Sequence, residues 1–376
     1  MNHDLPAEAA VRAALSTVID PELRRPIDEL GMLGSVTVEG GTVRVRVLLT
    51  IAGCPLRDSI TADTEAALSR VDGVERVEVE LGVMDQAQRD ALKERLRGAG
   101  GQRGIPFNEP SSLTRVYAVA SGKGGVGKSS VTVNLAAAMA AQGLRVGIVD
   151  ADVHGFSVPA LMGITQQPTR VDELILPPVA YGVKVISIGM FVEGNQPVSW
   201  RGPMLHRALE QFLTDVYFGD LDVLFLDLPP GTGDIAISVA QLLPASELLV
   251  VTTPQSAAAD VAERAGAMAA QTGQRVAGVI ENMSWLELPD GGRLELFGAG
   301  GGSTVAARLS STLDADIPLL GSIPLDVSLR EGGDAGVPLV LGTADSRARQ
   351  ELVTMASALA RRPRGLEGLK LPVRVR

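Results

Sequence analysis

The sequence predicts an α/β protein: a mostly parallel sheet covered by helices on both faces, preceded by a small α+β domain. Three observations carry the prediction. From residue 113 onward, apolar runs of strand length alternate with longer helical patterns. These runs are apolar nearly throughout, as strands buried on both faces require. The first of them, 116–120, leads straight into a glycine-rich loop and then a helical pattern over 131–141, the strand–loop–helix order of a phosphate-binding turn. The opening 88 residues differ, with short alternating strands and helices of their own.

In chain order, residues 8–18 have the pattern of a short helix, which stops at Ile19-Asp20-Pro21-Glu22. Two alternating runs, 35–38 and 43–50, flank Glu39-Gly40-Gly41 and predict a hairpin. A helix over 59–69 and a third strand over 74–81 complete an expected domain of residues 1–88. A charged helix over 86–97 and a Gly- and Pro-rich stretch up to Ser112 predict a linker, placed at 89–112. Strands follow at 116–120, 146–150, 183–188, 223–227, 248–252, 276–282 and 318–323, in an expected domain of residues 113–362. Residues 363–376 carry Arg and Pro without periodicity and are expected to be a tail.

Composition narrows the function classes. A net charge of −10 argues against general nucleic-acid binding. No run approaches the ~20 apolar residues that span a bilayer, and no secretory leader is evident at the start. The expectation is a cytoplasmic protein that partners neither membrane nor nucleic acid. Aromatic residues make up only 3% of the chain, so Val, Leu, Ile and Ala must build the core. Cys54 is the single cysteine, which rules out an intrachain disulfide.

Gly122, Gly127, Lys128 and Ser129 occupy the fixed positions of G-x-x-x-x-G-K-[ST]. Glycines let backbone N–H groups turn inward around phosphate oxygens. The expected nucleotide cradle is Gly122, Lys123, Gly124, Gly125, Val126, Gly127, Lys128, Ser129 and Ser130. Lys128 would reach the β- and γ-phosphates, Ser129 would offer its hydroxyl to Mg²⁺, and the helix N-terminus would add its positive end. The expected ligand is ATP with Mg²⁺.

Two further strand ends supply carboxylates. The run 146–149 leads into Asp150-Ala151-Asp152, at the edge where open α/β sheets bind ligands. Asp152 is the candidate for orienting the attacking water and Asp150 for the metal shell, the alternative for each being a helix cap. The run ending in Asp227 has the form of a Walker B strand, which puts Asp227 beside the metal, directly or through water. The next residues, Leu228-Pro-Pro-Gly-Thr-Gly-Asp234, are stiff at the prolines and permissive at the glycines. Pro230, Gly231, Thr232 and Gly233 are therefore expected to form a switch loop that reports on a γ-phosphate. His154 and His206 show no metal-ligand spacing.

The run GKGGVGKS resembles the deviant phosphate loop of the MinD/ParA/Mrp ATPases. In that class the extra lysine, here Lys123, reaches a partner's nucleotide across a homodimer, as an arginine finger does. DADVHGFSVP, WRGPM, LDLPPGTGD, TTPQ, GVIENMS, FGAGGG and GSIPLD follow in the order of the bacterial Mrp/ApbC group of iron–sulfur cluster carriers. DPEL, LGM and GCPLRD resemble the small domain of iron–sulfur assembly factors. The resemblance implies slow ATP hydrolysis, an ATP-gated homodimer, and partners among apo client proteins and assembly factors. It also implies adenine recognition by Asn282 and the backbone near Pro324.

One departure stands out. The resemblance implies a C-x-x-C pair after ENMS, whose thiolates would bind a [4Fe–4S] cluster. Leu288 and Gly291 fall roughly there, and neither can ligate iron. Cys54 is the only possible cluster thiolate. Its place before Pro55 at a helix start is a setting that can lower a thiol's pKa, and the alternative is a small buried residue. The leading expectation is a cluster-carrying ATPase. The alternative is a cluster-free nucleotide switch that acts as a scaffold or positioning module.

Overall fold

A computed structural model describes residues 7–51, 53–54, 56–97, 104–109, 111–153, 155–191, 202–231, 234–255, 258–343 and 345–362. Thr232 and Gly233 of the expected switch loop, His154, and the tail 363–376 lie outside the described residues.

The chain runs α1 (Glu8–Leu15), β1 (Leu33–Glu39), β2 (Thr42–Leu49), α2 (Arg57–Leu68), β3 (Arg76–Val83) and α3 (Gln86–Arg97). It continues through β4 (Arg115–Ala120), α4 (Lys128–Ala141), β5 (Val146–Asp150), α5 (Val158–Leu161), β6 (Thr169–Val171), β7 (Leu174–Leu176), β8 (Val179–Ala180), β9 (Val183–Ser187) and α6 (Gly202–Asp215). Then come β10 (Val223–Asp227), α7 (Asp234–Leu242), β11 (Glu247–Thr252), α8 (Ala258–Thr272), β12 (Arg275–Glu287) and β13 (Arg293–Leu294). The last elements are α9 (Gly301–Leu313), β14 (Leu319–Leu325), α10 (Val327–Ala335) and α11 (Arg347–Arg361).

Two compact units result. The larger comprises residues 104–165, 179–214 and 220–376. Its sheet has the strand order β13-β12-β11-β4-β10-β5-β9-β8, with β14 also paired to β12. Every pairing among β14, β12, β11, β4, β10, β5 and β9 is parallel; the short strands β13 and β8 pair antiparallel at the edges. β5, β9 and β10 are buried at every residue, which explains their unbroken apolar runs. Helix α4 is buried from Val131 to Met139 on all its faces, so Ala-rich sequence is what it needs. The register places Asp227 opposite both Val119 and Asp150. The loop that begins at Ser121 therefore starts level with two carboxylates.

The smaller unit comprises residues 1–103, 166–178 and 215–219. β1 and β2 form the expected antiparallel hairpin, and β3 joins β2 in parallel. Val43, Val45 and Val47 alternate inward along β2 against Val11 and Leu15 of α1 and Ile60 and Leu68 of α2. Two expectations need correction. The boundary at residue 88 falls inside α3, whose Leu92 is in the core, so 89–97 is helix and not linker. Nor is 113–362 one continuous body. The β6–β7 hairpin adds Val171, Leu174 and Leu176 to the first unit's core. Asp172 at its turn accepts from Lys93 at 2.8 Å and Gln86 at 3.3 Å, and Thr169 donates to Glu22 at 2.9 Å.

Leu174→Ala is therefore expected to destabilise the first unit by about 2–5 kcal/mol, the cost of truncating a buried leucine. Hydrogen exchange of the α2 amides reads this directly. A loss of protection under about 1 kcal/mol would mean that the hairpin is peripheral to that core.

Candidate functional site

The phosphate loop is shaped by its glycines. Gly125 and Gly127 both have φ of 76°, and a Cβ at Gly127 would fall 2.4 Å from Asn282 Nδ2. Gly127 also precedes the first turn of α4, where no side chain caps the helix. Its N-terminal amides are thus open to an anion. The loop encloses a cavity of about 360 Å³ lined by Ser121, residues 124–130, Asp152, Gly155, Ser157 and Pro230.

Asp227 is fully buried and collects three groups from α4. Ser129 Oγ donates to its Oδ2 at 2.5 Å and Thr132 Oγ1 to its Oδ1 at 2.8 Å. Lys128 Nζ lies 2.7 Å from Oδ2, with the lysine 6% exposed and the aspartate 0%. That contact is an ion pair without hydrogen-bond geometry, and the buried ammonium has no hydrogen-bond partner. A buried ammonium held by one ion pair and no hydrogen bond keeps donors for an incoming phosphate.

Asp150 lies beside this group on β5. Its Oδ1 accepts from Asp152 N at 3.1 Å, and its Oδ2 from Ser187 Oγ at 3.0 Å and Val158 N at 3.3 Å. Burial, and then the negative charge of Asp227, push its pKa up to about 7, despite those donors and Lys128. Such a carboxyl holds a proton in the folded chain that the unfolded chain releases near 3.8. Folding is thus favoured at low pH, and that advantage is lost as pH rises from about 4 to 7. Asp150→Asn is expected to flatten this part of the stability–pH curve in nucleotide-free protein, the variant gaining on the wild type from about pH 4 to 7 and keeping that gain above it. Parallel curves for the two proteins would contradict the assignment.

Asp152 is 7% exposed, lines the cavity, and accepts from Gly155 N at 3.1 Å. Pro230 is also in the lining, and Gly231 N donates to Ser121 O at 2.8 Å. Asn282 is buried and donates from Nδ2 to Val126 O at 2.8 Å, so one amide hydrogen braces the loop. The register sets Asn282 opposite Ile323, next to Pro324, which brings the two expected adenine contacts together. Arg264 Nη1 on α8 donates to Gly122 O at 3.1 Å, and Lys123 Nζ donates to Gln255 Oε1. Sequence reasoning missed Thr132, Ser187, Arg264 and Gln255. Only TTPQ, which contains Gln255, carried any signal.

Cys54 belongs to the other unit and has the features of the alternative reading, a small buried residue. It is 6% exposed within the hydrophobic core. Burial raises its pKa, and the carboxylates of Glu22 and Asp20 raise it further, against the amides of Leu56 and Arg57. The local helix-start argument gave the wrong sign because it ignored desolvation. Where a thiol pair was implied, residues 288–292 form a self-bonded turn. Leu288 N donates to Gly292 O at 2.8 Å and Gly292 N to Asp290 Oδ1 at 2.9 Å, while Arg293 stacks over Trp285 at 4.3 Å. No sulfur is present there to meet iron. Among the described residues no group of three or more His, Cys, Asp or Glu could hold a metal ion, and no helix is long and apolar enough to cross a membrane.

Residues 112–360 match the family described as NUBPL iron-transfer P-loop NTPase. The chain belongs to that family. Residues 8–81 match the family described as iron-sulfur cluster assembly protein. An iron-sulfur cluster carrier protein of Mycobacterium tuberculosis is 62% identical over 364 residues, covering 96% of each chain. One of Escherichia coli is 35% identical, covering 90% of this chain and 87% of its own. Among solved structures, a nucleotide-binding protein of Archaeoglobus fulgidus in complex with ADP is 36% identical with a TM-score of 0.52, over 61% of this chain and 93% of that one. This P-loop NTPase therefore combines a parallel α/β nucleotide fold with an N-terminal assembly-type unit.

Proposed function

We propose that this P-loop NTPase hydrolyses ATP and carries iron–sulfur clusters to apo client proteins in the cytoplasm, working as a nucleotide-gated homodimer. The observation that carries the nucleotide half is the buried Lys128 ammonium, which makes no hydrogen bond and lines the cavity of the glycine-rich loop. The carrier half is supported by the family and by relatives named as iron-sulfur cluster carriers.

The donor set fits Mg²⁺ arriving with the nucleotide. Ser129 Oγ and Asp227 are hard oxygen donors that already meet at 2.5 Å, and Mg²⁺ is commonly bound by one or two carboxylates together with substrate phosphates. It would supply charge neutralisation between the β- and γ-phosphates. Lys128 and the α4 amides bind the phosphates, Asp152 orients the attacking water, and Lys123 of one copy stabilises transition-state charge in the other. Adenine is recognised by Asn282 and the backbone at Pro324. Gly231 N exchanges Ser121 O for the γ-phosphate.

A second reading, a cluster-free ATPase switch, is favoured by one observation: the turn at 288–292 has no thiol, and Cys54 is buried and held protonated. Anaerobic reconstitution with iron and sulfide, on wild type and Cys54→Ala, separates the two. A stoichiometric cluster that activates a [4Fe–4S] apoenzyme, lost in Cys54→Ala, establishes a carrier with Cys54 as its thiolate. No cluster in either protein, with ATPase intact, leaves the switch.

A further inference from the structure

Lys123 sits between two residues of the cavity lining, Ser121 and Gly124, yet is not part of that lining. Its ammonium is instead bound within its own chain, to Gln255 Oε1 just after β11, and both side chains are half-buried. Helix α8, which begins at Ala258, meets the phosphate loop at Gly122, one residue before Lys123, by two contacts. Arg264 holds the Gly122 carbonyl at 3.1 Å. Val261 packs so closely that a Cβ at Gly122 would meet its Cγ2 at 2.7 Å and its Cα at 2.8 Å. The loop that bears Lys123 is thus held at Gly122 by α8 and at Lys123 by Gln255.

We propose that Gln255 is a positioning residue that parks Lys123 away from the phosphates until a second nucleotide-loaded copy engages. The inference rests on the trans role of Lys123 stated above. A lysine that must leave an acceptor before it acts is available only for the fraction of time it is free, and the apparent affinity between copies falls by that fraction. Gln255 thus tunes the protein concentration at which turnover begins and leaves the chemistry after engagement alone. A neutral amide suits this, because a carboxylate would hold the ammonium more firmly and an apolar side chain would not hold it at all.

The test uses the full chain with Mg·ATP and two substitutions of opposite sign. Gln255→Ala removes the acceptor, and the protein concentration giving half-maximal specific ATPase activity is expected to fall about threefold to fivefold, the effect of losing one partly exposed hydrogen bond. Gln255→Glu keeps the length, adds charge, and is expected to raise that concentration by a similar factor. Maximal turnover at saturating protein stays within about twofold in both, since neither touches the reacting atoms. Unequal melting temperatures are controlled by repeating the pair in a Lys123→Ala background, where ATP-dependent association measured by sedimentation is expected not to respond to residue 255.

Shifts in the same direction, no shift, or a response that persists without Lys123 would each overturn the role of Gln255. These results leave the trans reading intact provided Lys123→Ala alone abolishes turnover. Wild-type turnover by Lys123→Ala would instead remove the trans reading, and the parking role with it.

Discussion

Lys128→Ala is expected to abolish ATP hydrolysis, lowering kcat by at least on the order of 10²–10³, the effect of removing one preorganised charge-stabilising group. Two consequences follow from one atom. The phosphates lose the buried cation that lines their cavity, and Asp227, fully buried, loses its counter-charge at 2.7 Å. Leaving a buried charge alone typically costs about 3–5 kcal/mol, so the melting temperature should fall with the activity. Lys128→Met keeps much of the aliphatic stem and tests whether packing contributes. Phosphate release and binding of a fluorescent ATP analogue check both effects. A Lys128→Ala protein that turns over above about a tenth of the wild-type rate would show that another group binds the phosphates.

Lys123→Ala should separate binding from turnover. The side chain points to Gln255 and is absent from the cavity lining, so removing it leaves the cradle as it was. Nucleotide affinity is expected to stay within about threefold, while kcat falls about 10³-fold, the lower end of what a cation delivered in trans contributes. Calorimetry measures the first and single-turnover hydrolysis the second. Mixing Lys123→Ala with Lys128→Ala chains should restore part of the activity. At saturating ATP the first holds its nucleotide in an intact cradle without offering a finger, and the second offers a finger although its own cradle cannot support turnover. No rescue on mixing would place Lys123 on its own nucleotide.

How much of this was legible beforehand depended on how local the physics is. The phosphate loop was fully visible, because Gly125 and Gly127 must adopt positive φ wherever such a loop occurs. Asp150 and Asp227 were visible as polar ends of apolar strands, and the register then set them side by side. Thr132 and Ser187 were not. Each is an ordinary polar residue in its own element and gains its role only through a carboxylate 95 and 37 positions away. The hairpin of β6 and β7 was equally hidden, since three-residue strands have too few positions for alternation to register. Cys54 misled because its neighbours in sequence favour a thiolate, whereas its neighbours in space exclude water and supply negative charge.

The first unit has a further property that concerns time. Its core is assembled from three stretches of chain, the last ending at residue 219, although its three-stranded sheet and its helices are complete by residue 97. A ribosome adding 5–20 residues per second needs roughly ten seconds to cross that interval. Until residue 176 has been made, the surface that Val171, Leu174 and Leu176 will cover is exposed on a nascent chain. The part of the protein that is synthesised first is therefore not finished until the chain has passed residue 219. An unfinished copy released early would present an apolar face for chaperones or proteases to recognise.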